Sequence, residues 1–147
     1  MELSGDVLIP APRAVVWAAL NDPDVLKGCI PGCQSIEKES DTAFTAKVKA
    51  KIGPVSATFG GRVALSEIDP PNSYVIAGEG QGGVAGFGKG SARVSLTDED
   101  GGTRLTYAGE AQVGGKLAQI GSRLVQGTVT KLAGQFFAAF AKACAKS

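Results

Sequence analysis

Few residues of this sequence are suited to catalysis, because it contains no histidine. A Ser-His-Asp triad, a Cys-His dyad and a histidine-ligated metal site are therefore excluded. Glu79, Tyr107 and Glu110 are the remaining candidates along the glycine-rich part of the chain, and a catalytic carboxyl would need an inward position that raises its pKa. Alternation along a strand places Glu110 opposite Leu105 and Tyr107, and Glu79 opposite Ile76. We therefore expect no catalytic residue.

Two glycine motifs resemble nucleotide-binding loops. Gly78, Gly80 and Gly83 fit the dinucleotide pattern G-x-G-x-x-G, and the segment GVAGFGKG resembles a P-loop. Both motifs work only where a strand turns into a helix, whereas more strand pattern follows here. Gly90 also replaces the serine or threonine that would bind magnesium in a P-loop. We expect no nucleotide and no other cofactor.

The three cysteines, Cys29, Cys33 and Cys144, form a poor metal site without histidine. Their most economical role is that of small buried hydrophobes. A redox role for the Cys29 and Cys33 pair, which flanks a Pro-Gly turn, is the alternative. We expect no metal ion.

Two surface features could contact a partner. Lys47, Lys49 and Lys51 occupy one face of a strand, which is either a solvated face or a contact for anionic lipid or an acidic protein. Near the C-terminus, Phe136 and Phe140 fit a core or pocket position, and Phe137 fits an interaction anchor. The net charge of +1 does not indicate the strongly basic surface that nucleic-acid binding requires.

The elements that position these residues follow from periodicity. Residues 2–9 predict a strand, residues 12–20 a short helix that begins at a proline, and a second short helix ends at Leu26. The segment CIPGC predicts a loop. A composition of 44% hydrophobic and 20% charged residues is that of one globular domain, 1–147.

From residue 34 to 113 the hydrophobic period is two, which predicts antiparallel strands with one buried face. Phe44, Val48, Phe59 and Val63 fall on the inner face. Further strands are predicted at roughly 73–83, 86–97 and 103–113.

From residue 116 to about 144 the period is helical and no proline occurs. Leu117, Ile120, Leu124 and Phe136 lie on one apolar stripe. This long helix is the element that can cover the sheet.

Glycine is placed unusually in two neighbouring strands and in the helix. Gly78 and Gly80 alternate in one strand, Gly88 and Gly90 in the next, and Gly121 lies on the helix stripe. Because glycine weakens a strand, such a row indicates sharp curvature, close approach of another backbone, or empty volume. A cavity and tight helix-on-sheet packing both remain open.

Four blocks of the sequence are distinctive when taken together: DPDVLKGCIPGC, GEGQGGVAGFGKGSARVSL, TRLTYAGEAQVGGKLAQIGSRLV and FFAAF. In combination they resemble CoxG, a family of carbon monoxide dehydrogenase subunits. The resemblance covers nearly the whole chain and implies the START-like helix-grip (SRPBCC) fold, which is α+β. In that fold a curved seven-stranded antiparallel sheet wraps around a long C-terminal helix, and two short helices follow strand 1.

The resemblance also implies a deep apolar pocket and an accessory role beside molybdenum hydroxylases of the CO dehydrogenase type. We therefore expect a non-catalytic binding module for a lipid or an isoprenoid quinone. The alternatives are a docking adaptor without ligand and a helix-grip cyclase or dehydratase. Tyr107 is the expected partner of a ligand carbonyl. The predicted ligand-binding residues are Trp17, Phe44, Val48, Phe59, Val63, Ile76, Gly78, Gly80, Phe87, Gly88, Leu105, Tyr107, Leu117, Ile120, Gly121 and Leu124.

The expected location is the cytoplasm, with peripheral contact at the inner face of the membrane as an option. No basic region followed by a long apolar run opens the sequence, so no signal peptide is expected. Family members commonly carry a C-terminal tail that could reach a membrane, whereas this sequence ends at Ser147, so anchoring through a tail is not expected. Molybdenum hydroxylase subunits are the expected protein partners.

Overall fold

The structure, a computed structural model, describes residues 1–146. Its main element is a seven-stranded antiparallel sheet in the order β1-β7-β6-β5-β4-β3-β2. This confirms the predicted fold class. The strands are β1 (Glu2–Ile9), β2 (Cys33–Ser40), β3 (Ala43–Ile52), β4 (Val55–Asp69), β5 (Ser73–Gln81), β6 (Phe87–Glu99) and β7 (Gly102–Gly114).

Period-two alternation gives the sheet an inner and an outer face. Along β4, partly buried residues alternate with exposed ones from Val55 to Leu65. The Gly53-Pro54 turn joins β3 to β4, and the register pairs Phe44 with Val63. Inward residues of neighbouring strands therefore lie side by side and form one continuous apolar surface.

Two short helices follow β1, as the prolines predict. The first, α1, spans Arg13–Leu20, and the second, α2, spans Pro23–Cys29. The side chain of Asp22 accepts a hydrogen bond from the main-chain N–H of Asp24 at 2.9 Å, which caps α2. The predicted end of this helix at Leu26 was wrong, because the chain stays helical to Cys29 before the Pro-Gly turn.

The C-terminal helix is interrupted near its start, where one continuous helix was expected. A short helix, α3 (Lys116–Gln119), is followed by Ile120 and Gly121, and the long helix α4 (Ser122–Ala145) begins next. Gly121 has φ +98, a backbone conformation that favours glycine. It is therefore a joint between two helices and not a small residue within one.

The core lies between α1, the C-terminal half of α4 and one end of the sheet. Phe140, Ile9 and Val16 are fully buried there. The buried hydroxyl of Thr103 donates a hydrogen bond to the carbonyl of Ala11 at 2.7 Å, which ties β7 to the start of α1. Within residues 1–146 no helix is long and apolar enough to cross a bilayer.

The inner-face glycines serve different purposes. A Cβ on Gly109 would lie 1.9 Å from the carbonyl oxygen of Ser91, and one on Gly61 would lie 2.5 Å from that of Glu79. These glycines let neighbouring backbones approach closely in the curved sheet. A Cβ on Gly80 would meet no atom closer than 3.8 Å. Gly80 therefore leaves free space above the sheet.

Candidate functional site

The candidate site is an apolar cavity of about 430 Å³ between the inner face of the sheet, the two short helices and α4. Its size falls within the range of small-molecule sites. Its walls are formed by Leu20, Leu26, Ile30, Ile36, Phe44, Ala46, Val48, Phe59, Gly61, Arg62, Val63, Leu65, Tyr74, Ile76, Glu79, Gly80, Ala92, Val94, Leu105, Tyr107, Phe136 and Phe137.

The cavity walls extend along β5 and across the curved sheet from β2 to β7. At one end Leu65, Tyr74 and Leu105 belong to the packed core, whereas Phe59 and Gly80 at the other end lie outside the core cluster. Tyr74 and Gly80 are six positions apart on β5, which corresponds to roughly 20 Å of extended strand. Walls of this length can accommodate an apolar molecule with a chain of several carbons.

Aromatic rings of α4 close the cavity opposite the sheet. The ring of Phe137 stacks on that of Tyr107 with centroids 5.2 Å apart, and meets Phe136 edge to face at 5.0 Å. Phe136 in turn stacks on the fully buried Phe140 at 5.6 Å. Phe137, expected to be an interaction anchor, instead lies in the cavity wall, because the apolar face of α4 is wide enough to include both adjacent phenylalanines.

Four wall residues carry polar side chains. Those of Arg62 and Glu79 are exposed on the outer face, where Arg62 forms an ion pair with Glu39 at 3.2 Å. The hydroxyl of Tyr107 lies over Gly5, where an added Cβ would be 2.7 Å from it. Tyr74 is only 4% exposed, and burial raises the pKa of its hydroxyl to about 12. The tyrosines thus supply the polar side chains of the inner walls.

The structure brings half of the predicted ligand-binding residues together around the cavity. Their inward direction follows from strand alternation, which the sequence displays clearly. They are Phe44, Val48, Phe59, Val63, Ile76, Gly80, Leu105 and Tyr107.

Four other predicted residues from the strands and α1 lie apart from the cavity walls. Trp17 packs edge to face on Tyr74 at 5.5 Å and so stands behind the wall. Phe87 is 43% exposed at the start of β6. Gly78 and Gly88 face inward but lie outside the cavity walls.

The four predicted helix residues also lie outside the cavity walls, in α3, at the joint between the helices and in the first turn of α4. Leu117 is buried in α3, which contacts β7. Ile120, Gly121 and Leu124 line a separate shallow groove on α4, beside the Gly53 turn. A Gly121 substitution therefore cannot fill the apolar cavity.

The walls also include residues that the sequence reasoning did not name. Tyr74 and Val94 are in phase with predicted inward positions, so alternation alone could have found them. Leu26 and Ile30, four residues apart at the end of α2, carry a helical signal. Ile36 offers little signal, since β2 is mostly exposed and its register shifts beside it.

The cysteines do not form a reactive cluster. Cys29 and Cys144 are buried, and burial raises the pKa of Cys144 to about 11. Burial also raises the pKa of Cys29 and, against a smaller opposing effect of Lys27, that of Cys33. Such thiols remain protonated near neutral pH, which suits the expected packing role. Within residues 1–146 no three side chains are grouped to hold a metal ion.

The CoxG family of carbon monoxide dehydrogenase subunits matches residues 5–145. The chain belongs to this family. CoxG is an accessory subunit, so association with CO dehydrogenase is the family-level role. No curated protein matches the chain in sequence.

Solved structures show the same fold. A conserved protein from Geobacillus kaustophilus is 33% identical, with a TM-score of 0.92 over 100% of this chain and 97% of that one. Ara h 8.0201 is 19% identical, with a TM-score of 0.69 over 100% and 99%. The Zhui aromatase/cyclase from a Streptomyces species is 16% identical, with a TM-score of 0.67 over 98% and 93%. The last two likenesses concern the fold alone.

Proposed function

We propose that this CoxG protein binds one elongated apolar molecule, a lipid or an isoprenoid quinone, in the cavity between sheet and helix. The observation that carries the proposal is the cavity itself, whose inner walls are almost entirely aliphatic and aromatic. Burial of apolar ligand surface there is favourable by about 25 cal/mol per Å², less the cost of ordering the ligand.

A binding role is better supported than catalysis. A cyclase or dehydratase on this scaffold would use an acid directed into the cavity. The candidate carboxyls of Glu79 and Glu110 instead have exposed side chains on the outer face. An adaptor without ligand is also less favoured, since it needs no cavity of this size.

Within the family role, the bound molecule would serve a molybdenum hydroxylase of the CO dehydrogenase type. A carrier of this kind shields an apolar quinone from water between the membrane and the enzyme. Mixing the loaded protein with a reduced CO dehydrogenase tests this. We expect faster quinone reduction than with free quinone, and an equal rate would refute the carrier role.

A peripheral membrane contact is supported at one end of the molecule. The β3–β4 turn there packs on Leu124, and the 3₁₀ turn Gly83–Ala85 contacts α3. Val84 is 85% exposed and Leu124 45% exposed at this end. The segments that meet here, 51–56, 82–87 and 114–124, contain no Asp or Glu.

Basic side chains surround these exposed apolar residues. Lys51, Lys116 and Arg123 are exposed, and within residues 1–146 none of them is in an ion pair. Each cation near an anionic bilayer contributes about 1 kcal/mol. Val84 can enter the interface between the head groups.

Vesicle flotation tests the membrane contact. We expect binding to vesicles that contain phosphatidylglycerol, little binding to pure phosphatidylcholine, and loss of binding in a Lys51→Glu/Arg123→Glu variant. A Lys27→Glu variant, changed in α2, is the control. Equal binding by both variants would contradict this contact.

Native mass spectrometry followed by organic extraction tests the ligand proposal. The purified protein, exposed to a mixture of quinones and lipids, is expected to retain one molecule that is released on denaturation. A mass without any adduct after this exposure would refute the proposal.

A further inference from the structure

We infer that the hydroxyl of Tyr74 is the polar anchor of the cavity, donating a hydrogen bond to a neutral carbonyl oxygen of the ligand. The inference rests on the proposed binding function and specifies it further. It assigns the ligand a carbonyl head at the core end of the cavity and an apolar tail toward Phe59 and Gly80.

The first step is the state of the Tyr74 hydroxyl. Within residues 1–146 this hydroxyl makes no hydrogen bond. In the same part of the chain, every fully buried side-chain nitrogen or oxygen has a hydrogen-bond partner, so the Tyr74 hydroxyl is not fully buried. The hydroxyl therefore borders free space although its residue is only 4% exposed. Tyr74 forms part of the cavity wall, and its position on β5 is in phase with the inward residue Ile76. We therefore assign the space beside the hydroxyl to the cavity.

The second step is that the polar atoms of the other wall residues lie away from the cavity. Arg62 pairs with Glu39 outside the sheet, and Glu79 is exposed on the same outer face. The Tyr107 ring is held against Phe137, with its hydroxyl over Gly5. We therefore assign the role of orienting a ligand carbonyl, which the sequence predicted for Tyr107, to Tyr74.

The third step is that Tyr74 is held rigidly. It pairs with Val94 on β6, and its neighbours Ser73 and Val75 pair with Asp69 and Ser66 on β4. The ring of Trp17 meets its ring edge to face at 5.5 Å from behind. A fixed donor needs little ordering on binding, which favours specificity.

The fourth step is the chemistry of the acceptor. Because burial holds its pKa near 12, Tyr74 stays protonated and donates at physiological pH. Arg62, the basic residue among the described cavity walls, has its side chain on the outer face, so a carboxylate in the cavity would be unpaired. An unpaired buried charge is costly. A neutral carbonyl matches, and quinones and acyl esters both provide one.

Binding to three probes of similar length tests the assignment. They are decylubiquinone, ethyl dodecanoate, and dodecylbenzene, which has no carbonyl. Trp17 is the single tryptophan and lies against Tyr74, so a quinone head docked there quenches its fluorescence. The other probes are measured by displacing decylubiquinone.

In Tyr74→Phe we expect affinity for a carbonyl probe to fall about 5- to 30-fold, with dodecylbenzene unchanged. Thr58→Val, which removes a hydroxyl from the outer face of β4 outside the cavity walls, is the control and should leave quinone affinity within about twofold. Dependence on Tyr74 for decylubiquinone alone supports a quinone ligand, and dependence for ethyl dodecanoate alone supports an acyl lipid.

Three results would overturn the assignment. One is equal quinone and ester affinity in the wild type and Tyr74→Phe. Another is an equal loss for dodecylbenzene, which would indicate a damaged cavity. In both cases the proposed binding function survives, whereas failure of all three probes to bind the wild type would overturn that function as well.

Discussion

Filling the free space above Gly80 is the sharpest perturbation of the cavity. A Cβ at this position has its nearest neighbour, Cβ of Phe59, at 3.8 Å, so a Gly80→Leu side chain can enter the cavity without displacing backbone. It occupies the volume of about four ligand carbons, and each buried methylene contributes about 0.8 kcal/mol. The lost burial is about 3 kcal/mol, or roughly a 100-fold weaker Kd.

The assay is a decylubiquinone titration followed by fluorescence of Trp17. Gly60→Leu is the matched control, because Gly60 is exposed on the outer face of β4 and nothing lies within 4 Å of its Cβ. Removing a strand glycine should leave Gly80→Leu as stable as the wild type, or about 0.5–1 kcal/mol more stable. A folded Gly80→Leu variant with wild-type Kd, or equal weakening by Gly60→Leu, would refute the reasoning.

Three further predictions concern stability. Thr103→Val should lower the free energy of unfolding by about 1–3 kcal/mol, because it leaves a buried carbonyl without its donor; an unchanged urea midpoint would contradict this. Gly109→Ala should cost over about 3 kcal/mol, since its Cβ would collide with backbone, whereas Gly88→Ala, with no atom nearer than 3.9 Å, should be tolerated; equal thermal midpoints would reject this distinction. The pKa of Tyr74 is about 12 in the folded protein, so above the ordinary tyrosine pKa of about 10 this side chain ionises in the unfolded chain first. The free energy of unfolding should therefore fall by up to about 1.4 kcal/mol per pH unit between roughly pH 10 and 12. Urea unfolding of the wild type and Tyr74→Phe checks this, and parallel pH profiles of the two proteins would disprove it.

The sheet was largely predictable because strand alternation is a local property. Phe44, Val48, Phe59 and Val63 were placed on the inner face from sequence, and the structure has them there. Tyr74 lies two positions before the inward residue Ile76, so the same alternation places it on the inner face as well.

The helix side of the site was less predictable, since it depends on a break that no proline marks. Gly121 is compatible with a helix interior in sequence, and only its positive φ identifies the joint. In α4, Leu124 is 45% exposed and Phe137 lies in the cavity wall, the reverse of both predictions.

The glycines show a similar limit. The sequence predicts that they matter but not whether each permits curvature or space. Gly109 and Gly61 accommodate a neighbouring backbone, whereas Gly80 leaves free volume. That difference arises from the bending of the whole sheet, which local patterns do not encode.

A crystal structure of the protein with bound decylubiquinone tests the central claim most directly. The account predicts a ligand inside the cavity, with its tail between Phe59 and Phe137 and its ring carbonyl within hydrogen-bonding distance of the Tyr74 hydroxyl. A cavity closed by side chains, with the quinone bound only at the surface, would contradict it.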